Sequence, residues 1–315
     1  MEILRRIGGW FKRVFANLLE RLKPRKTFRW AFSAVLWLII IAYVGVGIYA
    51  GIKVYHSKTE DKFTKVAVKM YPFPVAVVNG SIVWANEYYQ QLNYINQFTS
   101  KTQQPIADVP ALRKQIIDQL IENKLLETQA QKYRVKVTTK DVNDAYDKIV
   151  TQSGGVSEVK KVLNEMYGMT EKEFKELVRQ QVLKEKIQNE VITQVNVKHI
   201  LIKDEARANE VATKAKNGEN FADLAKQYSE DTKSKDAGGE LGWLAQGQLV
   251  IDNNAIPEFD NAAFGAKVNE VVGPVKTANG FEILVVAEKK GQVNENFATW
   301  IANVKSKAKI WVFIK

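Results

Sequence analysis

The chain has 315 residues, a formal net charge of +11 and no cysteine. Disulfides and thiolate metal sites are therefore excluded, and two histidines, His56 and His199, are too few for a histidine-built zinc centre. The basic excess is local, with nine Lys/Arg against two Glu in residues 1–30, so it marks the N-terminus and not a nucleic-acid surface.

Residues 1–29 open with Ile3, Leu4, Ile7, Trp10, Phe11, Val14 and Phe15 at helical spacing, opposite Arg5, Arg6, Lys12 and Arg13. This predicts an amphipathic basic helix suited to an anionic inner leaflet, although a helix docking on another protein has the same pattern. From Trp30 to Ile52 no charged residue occurs. At ~1.5 Å per residue the stretch spans roughly 34 Å, enough to cross a bilayer. Residues 30–53 are read as a transmembrane signal anchor. The apolar core and the basic region before it are too long for a cleaved leader, and no Ala-x-Ala site follows. The positive-inside rule puts residues 1–29 in the cytoplasm and the bulk of the chain outside the inner membrane. Gly47 and Gly51 form a small-xxx-small pair of the kind that can mark helix dimerisation. Residues 54–73 read as a polar linker.

A mostly helical domain is expected over residues 74–194. It opens with two apolar runs around Asn79-Gly80, a hairpin signal because both turn positions favour positive φ. A helix follows from Asp108 and Pro110, burying Leu112, Ile116, Ile117, Leu120, Ile121, Leu125 and Leu126. Thr138-x-x-Asp141 and Thr170-x-x-Glu173 read as capping boxes, with Ser153-Gly-Gly155 as a break between them. Val77-Val78-Asn79-Gly80 and Leu112-Arg-Lys-Gln-Ile-Ile-Asp-Gln-Leu-Ile121 resemble the N-terminal chaperone domain of the SurA, PrsA and PpiD group.

Five stretches follow in register: Val195-Asn-Val-Lys-His199-Ile-Leu-Ile202, Phe221 through Asp231, Gly238-Gly-Glu-Leu-Gly242-Trp243, Pro257 through Phe264, and Gly273 through Leu284. In order and spacing, residues 195–290 resemble the parvulin peptidyl-prolyl isomerases. The resemblance implies an FKBP-like α/β domain, giving an α+β chain overall. It also implies rotation about X–Pro bonds in unfolded or newly exported polypeptides. Residues 291–315 then hold one helix and an alternating strand, Ile310–Ile314, expected to return to the helical domain because alone it would expose its edge.

X–Pro rotation needs no cofactor and no metal. Its uncatalysed barrier of ~18–20 kcal/mol is lost amide resonance, so a catalyst needs apolar walls, little water and a small polar cluster. The resemblance assigns Leu241, Leu249, Phe259 and Phe264 to the substrate-binding wall, with Phe264 behind the others. It assigns His199, Asp231, Thr277 and Glu282 to the polar cluster. The chain departs from the family where most parvulins carry a second histidine, since Glu282 stands there. Glu282 can accept a hydrogen bond from His199 or from Thr277, and its charge opposes an apolar pocket. Two readings follow: a membrane-anchored extracytoplasmic isomerase and chaperone, or a holdase whose parvulin domain binds peptide with little catalysis. A partner in the secretion machinery is a third. Lys203-Asp-Glu-Ala-Arg207 is charge-balanced, which argues against a phosphate-directed parvulin.

Overall fold

The computed structural model describes residues 26–57, 60–251 and 254–314. The amphipathic helix expected within residues 1–29 falls almost wholly outside them. The described chain forms two compact units, one ending at Phe73 and joined by Ile314, the other running from Pro74 to Phe313.

In the first unit, helix α1 (Lys26–Ile52) is continued by a π-helical turn, Lys53–Ser57. Its side chains from Val35 onward are largely exposed, and among the described residues it is the one helix long and apolar enough to cross a membrane. The polar linker expected over 54–73 is instead mostly folded. Asp61 caps α2 (Lys62–Met70), accepting the Thr64 N–H at 2.8 Å. Thr64, Ala67 and Val68 recur at helical spacing and are buried. The lysines between them made this amphipathic helix read as polar sequence.

The second unit opens with β1 (Pro74–Val78) and β2 (Ser81–Trp84), paired antiparallel about Asn79 and Gly80, both at positive φ. Helices α3 (Ala85–Thr102), α4 (Val109–Tyr133), α5 (Thr139–Gln152), α6 (Val156–Val162) and α7 (Glu171–Glu190) follow. Both expected capping boxes form, at the starts of α5 and α7, with side chain and backbone bonded reciprocally. Helices α3 and α6 were not legible from start signals, because Trp84 and Gly155 precede them and neither provides a side-chain cap.

The α/β part contains β3 (Gln194–Ile202), α8 (Glu205–Lys216), α9 (Phe221–Tyr228), β4 (Glu240–Ala245), β5 (Val250–Ile251), β6 (Asn254–Ala255), α10 (Pro257–Gly265), β7 (Val271–Thr277) and β8 (Gly280–Lys290). Its main sheet is antiparallel, in the order β4-β3-β8-β7. Period-two alternation on β3 and β8 sends alternate residues to opposite faces. Ile200, Ile202 and Ile283 pack with Ala208, Val211 and Leu224 of α8 and α9. On the other face, Val195, Val197, Leu284 and Val286 pack with Phe259 and Phe264 of α10.

The chain ends with α11 (Phe297–Lys307) and β9 (Ile310–Val312). Trp300 of α11 is buried with Leu126, Leu183 and Ile187 of the helical part. Strand β9 pairs antiparallel with β1, Ala76 opposite Val312, giving the order β2-β1-β9. A two-stranded hairpin, marginal by itself, thereby gains a third strand.

Candidate functional site

The candidate site lies on the α10 face of the main sheet. His199 of β3 stands opposite Leu284 of β8, and Glu282 is two residues along β8 on the same face. That diagonal brings the two side chains together. Glu282 Oε2 lies 2.8 Å from His199 Nδ1, with 1% of the Glu282 side chain exposed. Of the two partners open to Glu282, the structure brings it to the imidazole. The Thr277 hydroxyl stays within the β7–β8 turn, donating to the Gly280 carbonyl at 3.1 Å and accepting from the Asn279 N–H. Thr277 thus stands outside the network expected to include it, because it sits at the end of its strand, opposite Gly280.

The other imidazole nitrogen, Nε2, is 3.0 Å from Asp231 Oδ2 and 2.8 Å from Ser234 Oγ. Ser234 donates from its hydroxyl to Asp231 at 2.5 Å and from its backbone N–H at 3.2 Å, while the Lys233 N–H reaches the other carboxylate oxygen. Ser234 is almost fully buried and was not singled out by its sequence. The available signal was the spacing Asp231-x-x-Ser234, an N-cap-like pattern ahead of the 3₁₀ turn Lys235–Ala237. Backbone geometry holds the segment against β3. The His199 N–H donates to the Gly239 carbonyl at 2.8 Å, and a Cβ on Gly239 would come within 2.2 Å of the His199 carbonyl oxygen.

His199 is only 5% exposed, so burial works to strip its proton. The two flanking carboxylates outweigh burial and hold its pKa above the ordinary 6.5. In the charged form both ring nitrogens donate, one to Glu282 and one to Asp231. Burial likewise pushes Asp231 up, but donation from Ser234, His199 and the Lys233 N–H brings its pKa below the ordinary 3.8. Of the three charged groups Asp231 is the most accessible, with a fifth of its side chain exposed.

The apolar side is built from Phe259, whose ring lies 6.1 Å from the imidazole at 82°, and from Phe264 behind it. Leu241, Leu244 and Leu249 pack on this cluster and stay partly exposed. Phe259 was expected as a contact wall, yet it is 1% exposed and belongs to the core. Phe259, Ala263 and Phe264 recur at helical spacing on α10 and pack inward together, while Leu241, Leu244 and Leu249 keep part of their surface exposed. Among the described residues no cluster of side chains suits a metal ion.

Two family models cover most of the chain. One for the PPIC-type PPIASE domain matches residues 176–290, and one for the SurA-like N-terminal domain matches residues 19–188. The chain is 32% identical over 229 residues to foldase protein PrsA of Caldanaerobacter subterraneus subsp. tengcongensis, covering 67% of this chain and 72% of that one. It is also 32% identical over 191 residues to foldase protein PrsA 2 of Bacillus cereus, covering 56% of this chain and 64% of that one. A solved structure of peptidylprolyl isomerase (PrsA) from Bacillus anthracis is 27% identical and covers 61% of this chain and 86% of its own, with a TM-score of 0.31.

Proposed function

The chain belongs to the PrsA-type foldases, which join a SurA-like N-terminal domain to a PPIC-type peptidyl-prolyl isomerase domain, and from that premise we propose a membrane-anchored, extracytoplasmic folding factor. Helix α1 is its anchor, residues 1–29 lie in the cytoplasm, and the clients are unfolded or newly exported polypeptides with X–Pro bonds.

The observation that carries the catalytic reading is the buried His199–Glu282 pair, joined through Asp231 to Ser234 and set beside partly exposed Leu241 and Leu249. In this reading the proline ring rests on the two leucines, which exclude water from the imide. Asp231 is the polar group that meets the twisted amide. His199, Glu282 and Ser234 are positioning residues that hold Asp231 in place. Only interactions stronger with the twisted amide than with either planar form lower the barrier. A fixed carboxylate at the edge of an apolar wall satisfies that condition, because a mobile one would re-solvate.

One observation favours a holdase as the second reading. Glu282 places a carboxylate where burial disfavours charge, and Phe259 offers no surface to a ligand. The two readings separate in a refolding experiment with a proline-limited client and the full chain in detergent or nanodiscs. The isomerase reading expects the slow proline-limited phase to accelerate. Suppressed aggregation with that phase unchanged supports the holdase and contradicts the isomerase.

A further inference from the structure

Residues 60–73 double back along the exported end of α1. Lys53 reaches Asp61 at 2.5 Å, the Tyr49 and Phe63 rings lie 5.3 Å apart, and Tyr71 stacks on Tyr43 at 4.6 Å. The Tyr71 hydroxyl also donates to the Tyr43 carbonyl at 2.7 Å. From Asp61 to Tyr71 later residues meet progressively earlier ones, so α2 runs antiparallel to the last turns of α1, and Phe73 then turns back toward Gly51 and Tyr55. Gly47 and Gly51 make room for this return. A Cβ on Gly47 would come within 2.8 Å of the Tyr71 ring, and one on Gly51 within 3.5 Å of the Phe73 ring. The small-xxx-small pair is therefore filled by the chain's own aromatic side chains.

Helix α2 also carries an apolar outer strip, at whose edge Phe63 packs on Tyr49. Phe63, Val66 and Met70 follow each other at spacings of three and four, all exposed, with exposed Lys62 and Lys69 beside them. Tyr43, Tyr49, Tyr55, Phe63, Tyr71 and Phe73 gather within this hairpin, the composition of a membrane–water boundary.

Length decides where the hairpin lies. The part of the apolar stretch free of α2, Trp30 to Tyr43, is 14 residues, or ~21 Å of helix against a hydrocarbon core of ~30 Å. The remaining ~9 Å must be crossed by turns that α2 accompanies, which puts the Met70 end of α2 deeper in the boundary and its Lys62 end nearer the headgroups.

We propose that α2 is an interfacial collar. Phe63, Val66 and Met70 seat in the outer leaflet of a phospholipid bilayer, and Lys62 and Lys69 reach headgroup phosphates. The proposal rests on the reading of α1 as a span. It assigns residues 61–73 to the membrane surface, where a polar linker is expected from the sequence, and Gly47 and Gly51 to packing within one chain.

The full chain lacks cysteine, so single labels report single sites. An environment-sensitive fluorophore on Val66→Cys, in vesicles carrying lipids with nitroxides near the headgroup, should be quenched about twofold more than one on Lys101→Cys in the exported domain, given the shallow depth of interfacial helices. A label on Trp37→Cys, deep in the apolar stretch, checks the span by itself in vesicles whose nitroxides sit midway along the acyl chains. Quenching at position 37 with position 66 as accessible to water as position 101 overturns the collar and leaves the anchor standing. No lipid quenching at position 37 overturns the anchor and the collar with it. Position 66 shielded from lipid, and cross-linking to a second copy, overturns the collar in favour of self-association.

Discussion

Replacing Phe259 with alanine should cost about 3–5 kcal/mol of stability and most of the isomerase activity. The ring is fully buried against Val197, Leu284 and Phe264, so its removal leaves a cavity under Leu241 and Leu249. Those leucines are the accessible wall, and a wall that settles inward loses the shape that holds a proline ring. It also loses the edge-on contact that fixes the imidazole plane. Stability is read by denaturant unfolding, and activity at a temperature where the variant remains folded. Phe259→Met, which keeps most of the apolar bulk, should recover the larger part of both. An alanine variant with near-full activity would show that the proline pocket lies elsewhere.

The second large effect is a pH dependence of stability set by His199. Its folded pKa is raised above 6.5. The stabilisation is therefore complete below pH 6.5 and is lost as pH rises through the folded value. Asp231 runs the other way: its folded pKa is lowered below 3.8, so its contribution is present above that value and lost as pH falls through the folded one. Melting temperature should thus be highest between about pH 4 and 6.5 and decline on the alkaline side. Glu282→Gln keeps the shape but removes the larger of the two carboxylate effects on His199, and should flatten the alkaline limb. Breaking a buried pair typically costs about 3–5 kcal/mol, and Asp231 on the other nitrogen keeps the loss toward the lower end. An alkaline limb unchanged in Glu282→Gln would mean that the imidazole is not charged in the folded chain.

The parts of this arrangement that were legible in the sequence share one property: a local rule decides them. Asn79-Gly80 demands positive φ and the two capping boxes close within four residues, whereas His199 and Glu282 come from the resemblance to the parvulins and meet only through the long-range pairing of β3 with β8. Ser234 was missed because a serine in a polar loop reads as solvent-exposed until the loop is folded over the imidazole. Phe259 was assigned the right cluster and the wrong exposure, since helical spacing alone does not say which side of α10 meets the sheet. The resemblance places Thr277 with the polar cluster, yet the turn itself uses its hydroxyl. The stretch 54–73 is the least legible, because four lysines in it hide an apolar face directed at α1.

The central claim is that residues around His199, Asp231 and Leu249 rotate X–Pro bonds despite Glu282. Exchange NMR on an unstructured X–Pro peptide tests it most directly, with the full chain in nanodiscs added in catalytic amount. Cis–trans exchange should accelerate with the native chain, accelerate further with Glu282→His, and fall to the uncatalysed rate with Asp231→Ala. Exchange at the uncatalysed rate with both the native chain and Glu282→His would contradict the account.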